Sequence, residues 1–487
     1  MYKNNVRKTV KFTILYIENI KWRINMVINN NDIPDDALNI LAKINNVSEG
    51  YLVGGCVRDL LLGKQPHDFD ITTKLHPNEI IKLLTDNGYY CYGKGIEYGT
   101  VVAVGKNNEE FEVTTYRGES NYSDGRHPDS VEFTDNIFED LSRRDFTINA
   151  IAYNPISKEI VDRFGGLSDL KHKRINAIGD ANLRFKEDAL RILRALRFSI
   201  RFGYEISGNT KTAILRNIDR LDNVSKERIT EEFRKIFSYN KPIFNIFREY
   251  QSVMKKVIPE IETCIGFEQN NPYHHHDVYL HLLSVVDLCN TSDFSINMAA
   301  LLHDIGKPDT YTQDEEGFGH FHGHPKKSLE IAEKVLKNDF RITSKEYDKI
   351  CKLVELHDMT FLASEKTVKR NINKYGHEFI EDWCILKKAD RNDHLFPKGK
   401  DVRWYPQVEE IKKIYDDILS NEPCCTLKDL QINGNDLISL GIPKGKEIGI
   451  ILNDVLNKVI DDELYNEKDT LINYVENNYI KDIEKNL

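Results

Sequence analysis

The 487-residue sequence predicts a multidomain protein, an α+β or α/β head followed by an all-α remainder. Three observations carry that prediction. The chain is about three times the length of a typical domain. Between residues 50 and 160, short strand-like runs alternate with helical ones and are punctuated by glycine turns. From about Phe185 onward, Leu, Ile and Phe recur at three- and four-residue spacing, the period of a helix face.

Taken in order, Pro34 to Asn45 has helical apolar spacing, and "YLVGG" reads as a short buried strand entering a glycine turn. "RDLLLGK" is a helix ending at Gly63, "DFDITT" a strand, and "HPNEIIKLLTDNG" a helix stopped by Gly88. "GTVVAVG" and "EFEVTTY" alternate like paired strands around the turn "KNNEE". Residues 117–136 are dense in Gly, Ser, Asp and Pro and read as one long loop, a place where function often resides. After "LSRRDFTINAIAYN" and the turn "FGGL" the chain is expected to be helical, with seams at "PYHHHDVYLH" and "NEPCCTLKD". The expected partition is a leader at 1–26, a head at 27–172, a helical neck and body at 173–270, a histidine-rich domain at 271–395 and a helical tail at 396–487. The leader is basic, its apolar run from Phe12 to Ile17 is too short for a secretory signal, and Met26 offers a later start, so it is read as lying outside the fold.

Composition excludes several classes. Hydrophobic content of 40% and charged content of 30% are ordinary for globular chains. No stretch approaches the ~20 apolar residues that cross a bilayer, so no membrane partner is expected. The 8 cysteines are scattered, with Cys424–Cys425 the one close pair, which suits a reducing cytoplasm better than a disulfide framework. The net charge of −10 hides a basic stripe: Lys171, Lys173, Arg174, Arg184, Lys186, Arg191, Arg194, Arg197 and Arg201 face only Asp180, Glu187 and Asp188 in that interval. A solvated helix face and an anion-binding surface both explain such a run.

Asp68 and Asp70 stand one residue apart. On a strand they share one face, while Phe69 and Ile71 take the other. Two crowded carboxylates repel unless a divalent cation neutralises them, so the pair reads as a Mg²⁺ site or as two solvated acids at a strand end. Gly54-Gly55 precedes it between a strand and a helix, where bare amides hold phosphate oxygens, and Arg58 follows in the first turn. Together these parts suit a nucleoside triphosphate held against one or two metals.

"LVGGCVRDLLLG" followed by "HDFDITT", with "FEVTTYRGE", "EDLSRRDFTINAIAY" and "RFKEDALRILRALRF", resembles the nucleotidyltransferases of the DNA polymerase β superfamily. The likeness is to the bacterial branch shared by CCA-adding tRNA nucleotidyltransferases and poly(A) polymerases, and it covers most of residues 50 to 240. The resemblance implies that Asp68 and Asp70 are catalytic and bind Mg²⁺, that Gly55, Arg58 and Arg144 contact the nucleotide, and that Glu112 is either a third carboxylate or a structural acid. It further implies a polymerase β-like mixed sheet in the head, and tRNA, CTP and ATP as partners.

Asp188 and Arg191 stand at i and i+3, which places them on one helix face as acceptor beside donor. Cytosine and adenine both offer amino hydrogens beside a ring acceptor, so this pair suits both. Uracil and guanine reverse the pattern, at roughly 1–3 kcal/mol for each opposed group. An ordinary salt bridge is the alternative. Arg194 and Arg197 continue the face, and the family likeness has them reach the triphosphate or brace the base pocket.

Nine of the 15 histidines fall between His274 and His357. "HLLSVV" with His281, "LLHDIGK" with His303 and Asp304, "HFHGH", "LHD" and "KKADRND" with Asp390 resemble the ligand order of HD-domain phosphohydrolases. That resemblance implies a second divalent metal on His281, His303, Asp304 and Asp390. His274 to His276 read as surface decoration. "LQINGNDLISLGIPKGKEIGIILNDVLNKV" resembles the tRNA-holding tail of the bacterial CCA-adding members, with Lys444 and Lys446 near phosphates. That tail and the long 117–136 segment favour addition of C, C and A over poly(A) synthesis. An HD phosphohydrolase with a nucleotide-sensing head is the rival of another class.

Overall fold

A computed structural model describes residues 28–120, 130–394, 405–421 and 424–480, so the expected leader lies outside the described residues. The chain divides into two compact units, one closing at Glu232 and the next opening at Phe233. The expected neck, 173–270, runs across that division.

The first unit is organised by a seven-stranded mixed sheet. Its strands are β1 (Gly50–Val53), β2 (Ile71–Thr73), β3 (Tyr90–Gly93), β4 (Thr100–Val104), β5 (Glu110–Thr115), β8 (Ala152–Asn154) and β9 (Glu159–Val161), and β6 (Arg117–Ser120) and β7 (Ser130–Phe133) pair separately. The order is β3-β4-β5-β2-β1-β8-β9, with β2 and β5 parallel and the other neighbours antiparallel. All four residues of β1 are buried, which is why it reads as a continuous apolar run, whereas β5 buries alternate residues as a half-covered strand does. Helix α1 (Asp35–Asn45) buries Ala37, Ile40, Leu41 and Ile44 on one stripe. Helix α2 (Gly55–Leu61) leaves β1 through Gly54, whose φ of +81° only glycine adopts without strain. Helix α3 (Pro77–Asp86) starts on a capping box between His76 and Glu79.

Three expectations need correction. Strand β2 begins at Ile71, so Asp68 and Asp70 lie in the extended segment leading into it; β1 turns away at Gly54, leaving Val53 N–H to bond the Asp70 carbonyl at 3.0 Å. The segment 117–136 is not one loop, because its ends form β6 and β7, registered Arg117 with Phe133. β6 is Arg-Gly-Glu-Ser, a composition with no strand preference, so its pairing with β7 overrides local propensity; residues 121–129 lie outside the described residues. The helical run after Phe185 is broken: α4 (Ile137–Ser142) precedes it, α5 (Ala181–Glu187) stops at Asp188, and α6 (Leu190–Phe202) starts afresh. Asp188 has extended backbone, φ −146° and ψ 104°, and accepts from Leu190 N–H at 3.0 Å, so it caps α6 instead of sharing a helix face with Arg191. Helix α7 (Lys226–Ser238) spans the junction of the two units.

Among the described residues, the regular structure of the second unit is helical apart from the two-residue pair Thr312–Gln313 and Gly319–His320. Helices α8 (Val278–Cys289), α9 (Phe294–Leu302), α10 (His324–Asn338), α11 (Ser344–Leu356) and α13 (His377–Asn392) pack together, with α12 (Glu365–Tyr375) beside α13. Every residue of α9 is buried, including Ser295 and Asn297, the latter donating to the Thr291 and Asp293 carbonyls. Helices α14 (Tyr405–Ser420), α15 (Gly434–Ser439) and α16 (Lys446–Ile460) follow, and Leu437, Ile442, Val455, Leu456 and Leu471 form a separate tail core. All 8 cysteines are unpaired thiols, as expected. Among the described residues, no helix is long and apolar enough to cross a membrane.

Candidate active site and candidate metal centre

In the first unit, a cavity of about 410 Å³ opens beside the turn from β1 into α2. Gly55, Arg58, Asp70, Arg144, Asp188, Arg191, Arg194 and Arg197 all border it. The structure therefore brings together the residues singled out in the head and the following helices, with the exception of Asp68, which is exposed and lies outside the wall. Burial raises the Asp70 carboxyl above its ordinary value, and the neighbouring Glu112 and Asp68 charges add to this against the pull of Arg144. Glu112 itself is half-exposed and paired with Lys94 at 2.8 Å.

The basic stripe divides: Lys173, Arg174 and Lys186 are exposed, whereas the arginines of α6 are tied to acids. Arg194 grips Asp145 Oδ2 through Nε at 2.8 Å and Nη2 at 2.6 Å, and Arg197 donates to Glu232 at 2.6 Å. Asn149 donates to Asp145 at 2.9 Å and accepts from Arg58 Nη1 at 2.5 Å. Arg58 in turn holds Asp59 with two bonds of 2.8 and 2.9 Å, and Arg201 shares that carboxylate at 3.1 Å. Burial works against the Asp145 charge, yet Arg194 and Asn149 hold its carboxyl down to about 2. Phe198 lies beneath three of these cations, 4.3 Å from Arg197 and 5.5 Å from both Arg58 and Arg194. Sequence reasoning missed Asp145, Asn149 and Phe198, although Asp145 and Asn149 sit within the quoted "SRRDFTINA" stretch, and it named Arg201 only as one cation of the basic stripe.

The arginines of this wall are each tied to an acid, Arg58 through Asp59, Arg194 through Asp145 and Arg197 through Glu232. Arg144 reaches Asp140 at 3.4 Å, and its buried Nε has no hydrogen-bond partner, an orphaned donor that suits an anion. Arg191 is held by Glu187 at 2.7 Å, by the Arg184 carbonyl at 3.2 Å and by the Arg143 carbonyl at 3.0 Å. Asp188 receives Arg228 Nη2 at 2.7 Å on the oxygen not used for capping. Asp188 and Arg191 thus enter the cavity from separately fixed positions, with acceptor and donor capacity still available.

In the second unit, the four expected ligands converge. His281 and His303 point Nε2 at Asp304 Oδ2, each at 3.2 Å, and at Asp390 Oδ1 at 3.4 and 3.8 Å. All four side chains are buried, and their donor atoms lie within 4.8 Å of one another. His303 Nδ1 bonds the Ala300 carbonyl at 2.8 Å and His281 Nδ1 bonds Asp393 at 2.7 Å, which turns both Nε2 atoms inward. Both Nε2 atoms are buried without a hydrogen-bond partner. This mixed nitrogen and oxygen set fits a divalent metal. His276 is no surface decoration: it reaches Asp393, the acid that orients His281, at 3.3 Å. In the tail, Lys444 and Lys446 are exposed at the start of α16.

Known proteins resemble this chain along most of its length. The family described as "Poly A polymerase head domain" matches residues 50–176, "Probable RNA and SrmB-binding site of polymerase A" matches 203–264, and "tRNA nucleotidyltransferase domain 2 putative" matches 315–475. The CCA-adding enzyme of Ligilactobacillus salivarius is 32% identical over 456 residues, spanning 92% of this chain and 97% of the relative. That of Leuconostoc citreum is 48% identical over 188 residues, 39% of this chain and 45% of the relative. The crystal structure of the Bacillus stearothermophilus CCA-adding enzyme in complex with CTP superposes with a TM-score of 0.63 at 25% identity, covering 93% of this chain and 98% of the other.

Proposed function

The chain belongs to the CCA-adding enzymes, and from that premise we infer that it adds C, C and A to the 3′ end of tRNA, consuming CTP and ATP and releasing pyrophosphate. The observation that supports this best is one cavity bordered by Asp70, by a cluster of acid-oriented arginines and by the acceptor–donor pair Asp188 and Arg191. A triphosphate suits the arginines, and the shared edge of cytosine and adenine suits the pair.

Each role follows from what its side chain has left to offer. The amides at Gly54 and Gly55 stand at the mouth of α2, where phosphate oxygens are favoured. Arg144 with its unpartnered Nε, and Arg194 with Nη1 no nearer than 3.8 Å to Glu232, have donors to spare for the triphosphate. Arg58 is buried and spends its donors on Asp59 and Asn149, so its part is to set the wall. Asp188 accepts the amino group of the incoming base and Arg191 donates to its ring nitrogen. Asp68 and Asp70 offer the oxygen ligands that Mg²⁺ prefers, and the mutual repulsion felt at Asp70 favours a cation there. When bound, Mg²⁺ supplies activation of the tRNA 3′ hydroxyl and neutralisation of the departing pyrophosphate.

His281, His303, Asp304 and Asp390 are proposed to hold a second divalent metal, and the exposed Lys444 and Lys446 to meet tRNA phosphates. The unpaired thiols fit the cytoplasm. Incubating the purified chain with tRNAs truncated before each terminal nucleotide, with CTP, ATP or both, tests the reading. Ordered addition of C, C and A is expected; open-ended adenylation in ATP alone, or no cytidine incorporation, defeats it in favour of a poly(A) polymerase.

A further inference from the structure

Positive charge is concentrated at one end of the head cavity. Arg58 and Arg201 both donate Nη2 to Asp59 Oδ2, at 2.9 and 3.1 Å, so two guanidinium groups share one carboxylate. The ring of Phe202 faces three cations, with Arg58 at 4.9 Å, Arg201 at 5.0 Å and the Lys64 ammonium at 5.2 Å. The two arginines both border the cavity, but they are not equivalent. The Arg58 side chain is 4% exposed and committed to Asp59 and Asn149, whereas that of Arg201 is 26% exposed.

This is the phosphate end of the cavity. A Cβ on Gly55 would stand 3.5 Å from Arg58 Nη2, and one on Gly54 would stand 2.9 Å from Arg144 Nη1 and 3.8 Å from Asp70 Oδ2, so the arginine pair lies close to the carboxylate proposed to hold Mg²⁺. Asp188 and Arg191 stand at the opposite end of α6. The ten residues from Arg191 to Arg201 are about 15 Å of helix, on the order of an extended nucleoside triphosphate. We propose that Arg201 receives the terminal phosphate of the incoming CTP or ATP and keeps hold of it in the departing pyrophosphate. The proposal rests on the reading of the cavity given above. Because Asp59 already fixes the guanidinium, little side-chain freedom is lost when the phosphate arrives. In the transfer, the 3′ oxygen of tRNA bonds to the α-phosphorus and its proton goes to water. The bond from the α-phosphorus to the bridging oxygen breaks, and its electron pair passes to pyrophosphate. Charge therefore grows on the leaving group beside Arg201, where a fixed cation stabilises it.

The experiment compares the full chain with its Arg201→Gln and Arg201→Lys variants. Equilibrium dialysis with CTP, CDP and CMP in the presence of Mg²⁺ reads the contribution of each phosphate. The unsubstituted chain should bind CTP about tenfold more tightly than CDP, the size of one charge-assisted hydrogen bond. In Arg201→Gln the two affinities should converge to within about twofold while CMP binding is unchanged, which also shows that the cavity is intact. Arg201→Lys should recover part of the preference. In the incorporation assay, KM for CTP and for ATP should rise together by a similar factor, and inhibition by added pyrophosphate should weaken with them. A preference for CTP over CDP that survives in Arg201→Gln overturns the contact. Equal weakening of CTP, CDP and CMP also overturns it, because Arg201 then only supports the wall. If the preference collapses as expected but the unsubstituted chain incorporates no cytidine, the terminal-phosphate contact stands and the reading of the reaction falls.

Discussion

Replacing Arg228 with glutamine isolates the orientation of Asp188, the acid proposed to read the base, from its identity. Asp188 is fixed at both oxygens, by Leu190 N–H at 3.0 Å and by Arg228 at 2.7 Å, and the two side chains are 15% and 21% exposed. A charge-assisted bond of this kind contributes about 1.5–3 kcal/mol, and partial exposure brings that towards the lower end. Glutamine retains a neutral donor, so the expected loss is roughly 1 kcal/mol, or about fivefold in kcat/KM. Cytidine and adenosine incorporation should fall together, because both use the same acceptor, while the low background of uridine incorporation stays level. Discrimination against UTP should then shrink by about the same fivefold. Initial rates with CTP, ATP and UTP on the appropriate truncated tRNAs, alongside thermal midpoints, give the answer. If all three nucleotides decline in parallel with the melting temperature, Arg228 merely supports the fold and its link to base choice is refuted.

Asp70→Asn should abolish incorporation, by at least about 10³-fold, yet leave CTP binding detectable by equilibrium dialysis, since the arginines and Asp188 are intact. Gly54→Ala forces φ of +81° on a residue with a side chain and sets its Cβ 2.9 Å from Arg144 Nη1, so incorporation should drop and stability should fall by about 1–2 kcal/mol, read by urea unfolding. The Asp145 carboxyl, held down to about 2, contributes roughly 2 kcal/mol of stability above the ordinary carboxylate range; that contribution is lost as pH falls from about 4 through about 2, and Asp145→Asn should flatten the acid limb of the stability curve. Asp393→Ala removes the acid that orients His281 and should weaken metal binding in the second unit about 10- to 100-fold by competition with a chelator dye.

The head was legible because its signals are local. Buried β1 reads as an apolar run, β5 as an alternation, and Gly54, Asp70 and Arg144 fall within short motifs whose chemistry is explicit. What remained hidden depends on distance along the chain. Asp145 and Arg194 are 49 residues apart, and Arg58 and Asn149 are 91 apart. No periodicity announces that such acids will tie down such cations, so the basic stripe could be read as a solvated face. The break at Asp188 was missed for a different reason: "EDALRILRALRF" keeps helical spacing throughout, while the capping bond to Leu190 N–H stops one helix and starts the next. His324 and His357 were visible as histidines, but their approach to Asp304 Oδ1, at 3.1 and 3.3 Å, exists only in three dimensions.

The two candidate metal sites differ in a way that bears on how the chain avoids confusing its ions. Around Asp70 the ligands on offer are carboxylate oxygens beside the cavity proposed to take a triphosphate, a hard set that suits Mg²⁺ and leaves positions for phosphate oxygens. In the second unit the offer is imidazole nitrogen with carboxylate, fully buried and oriented by the Ala300 carbonyl and the Asp393 carboxylate, a set whose affinity rises through the first-row transition metals. Rigid, pre-oriented nitrogen donors hold their ion in the absence of substrate, whereas Asp68 is exposed and Asp70 is already raised by its neighbours, so their ion gains most when a triphosphate arrives with further oxygens. A weak chelator should therefore silence nucleotide incorporation while sparing the metal of the second unit, and added Mg²⁺ should restore incorporation. Loss of both at one chelator concentration would show that donor chemistry does not separate the two sites.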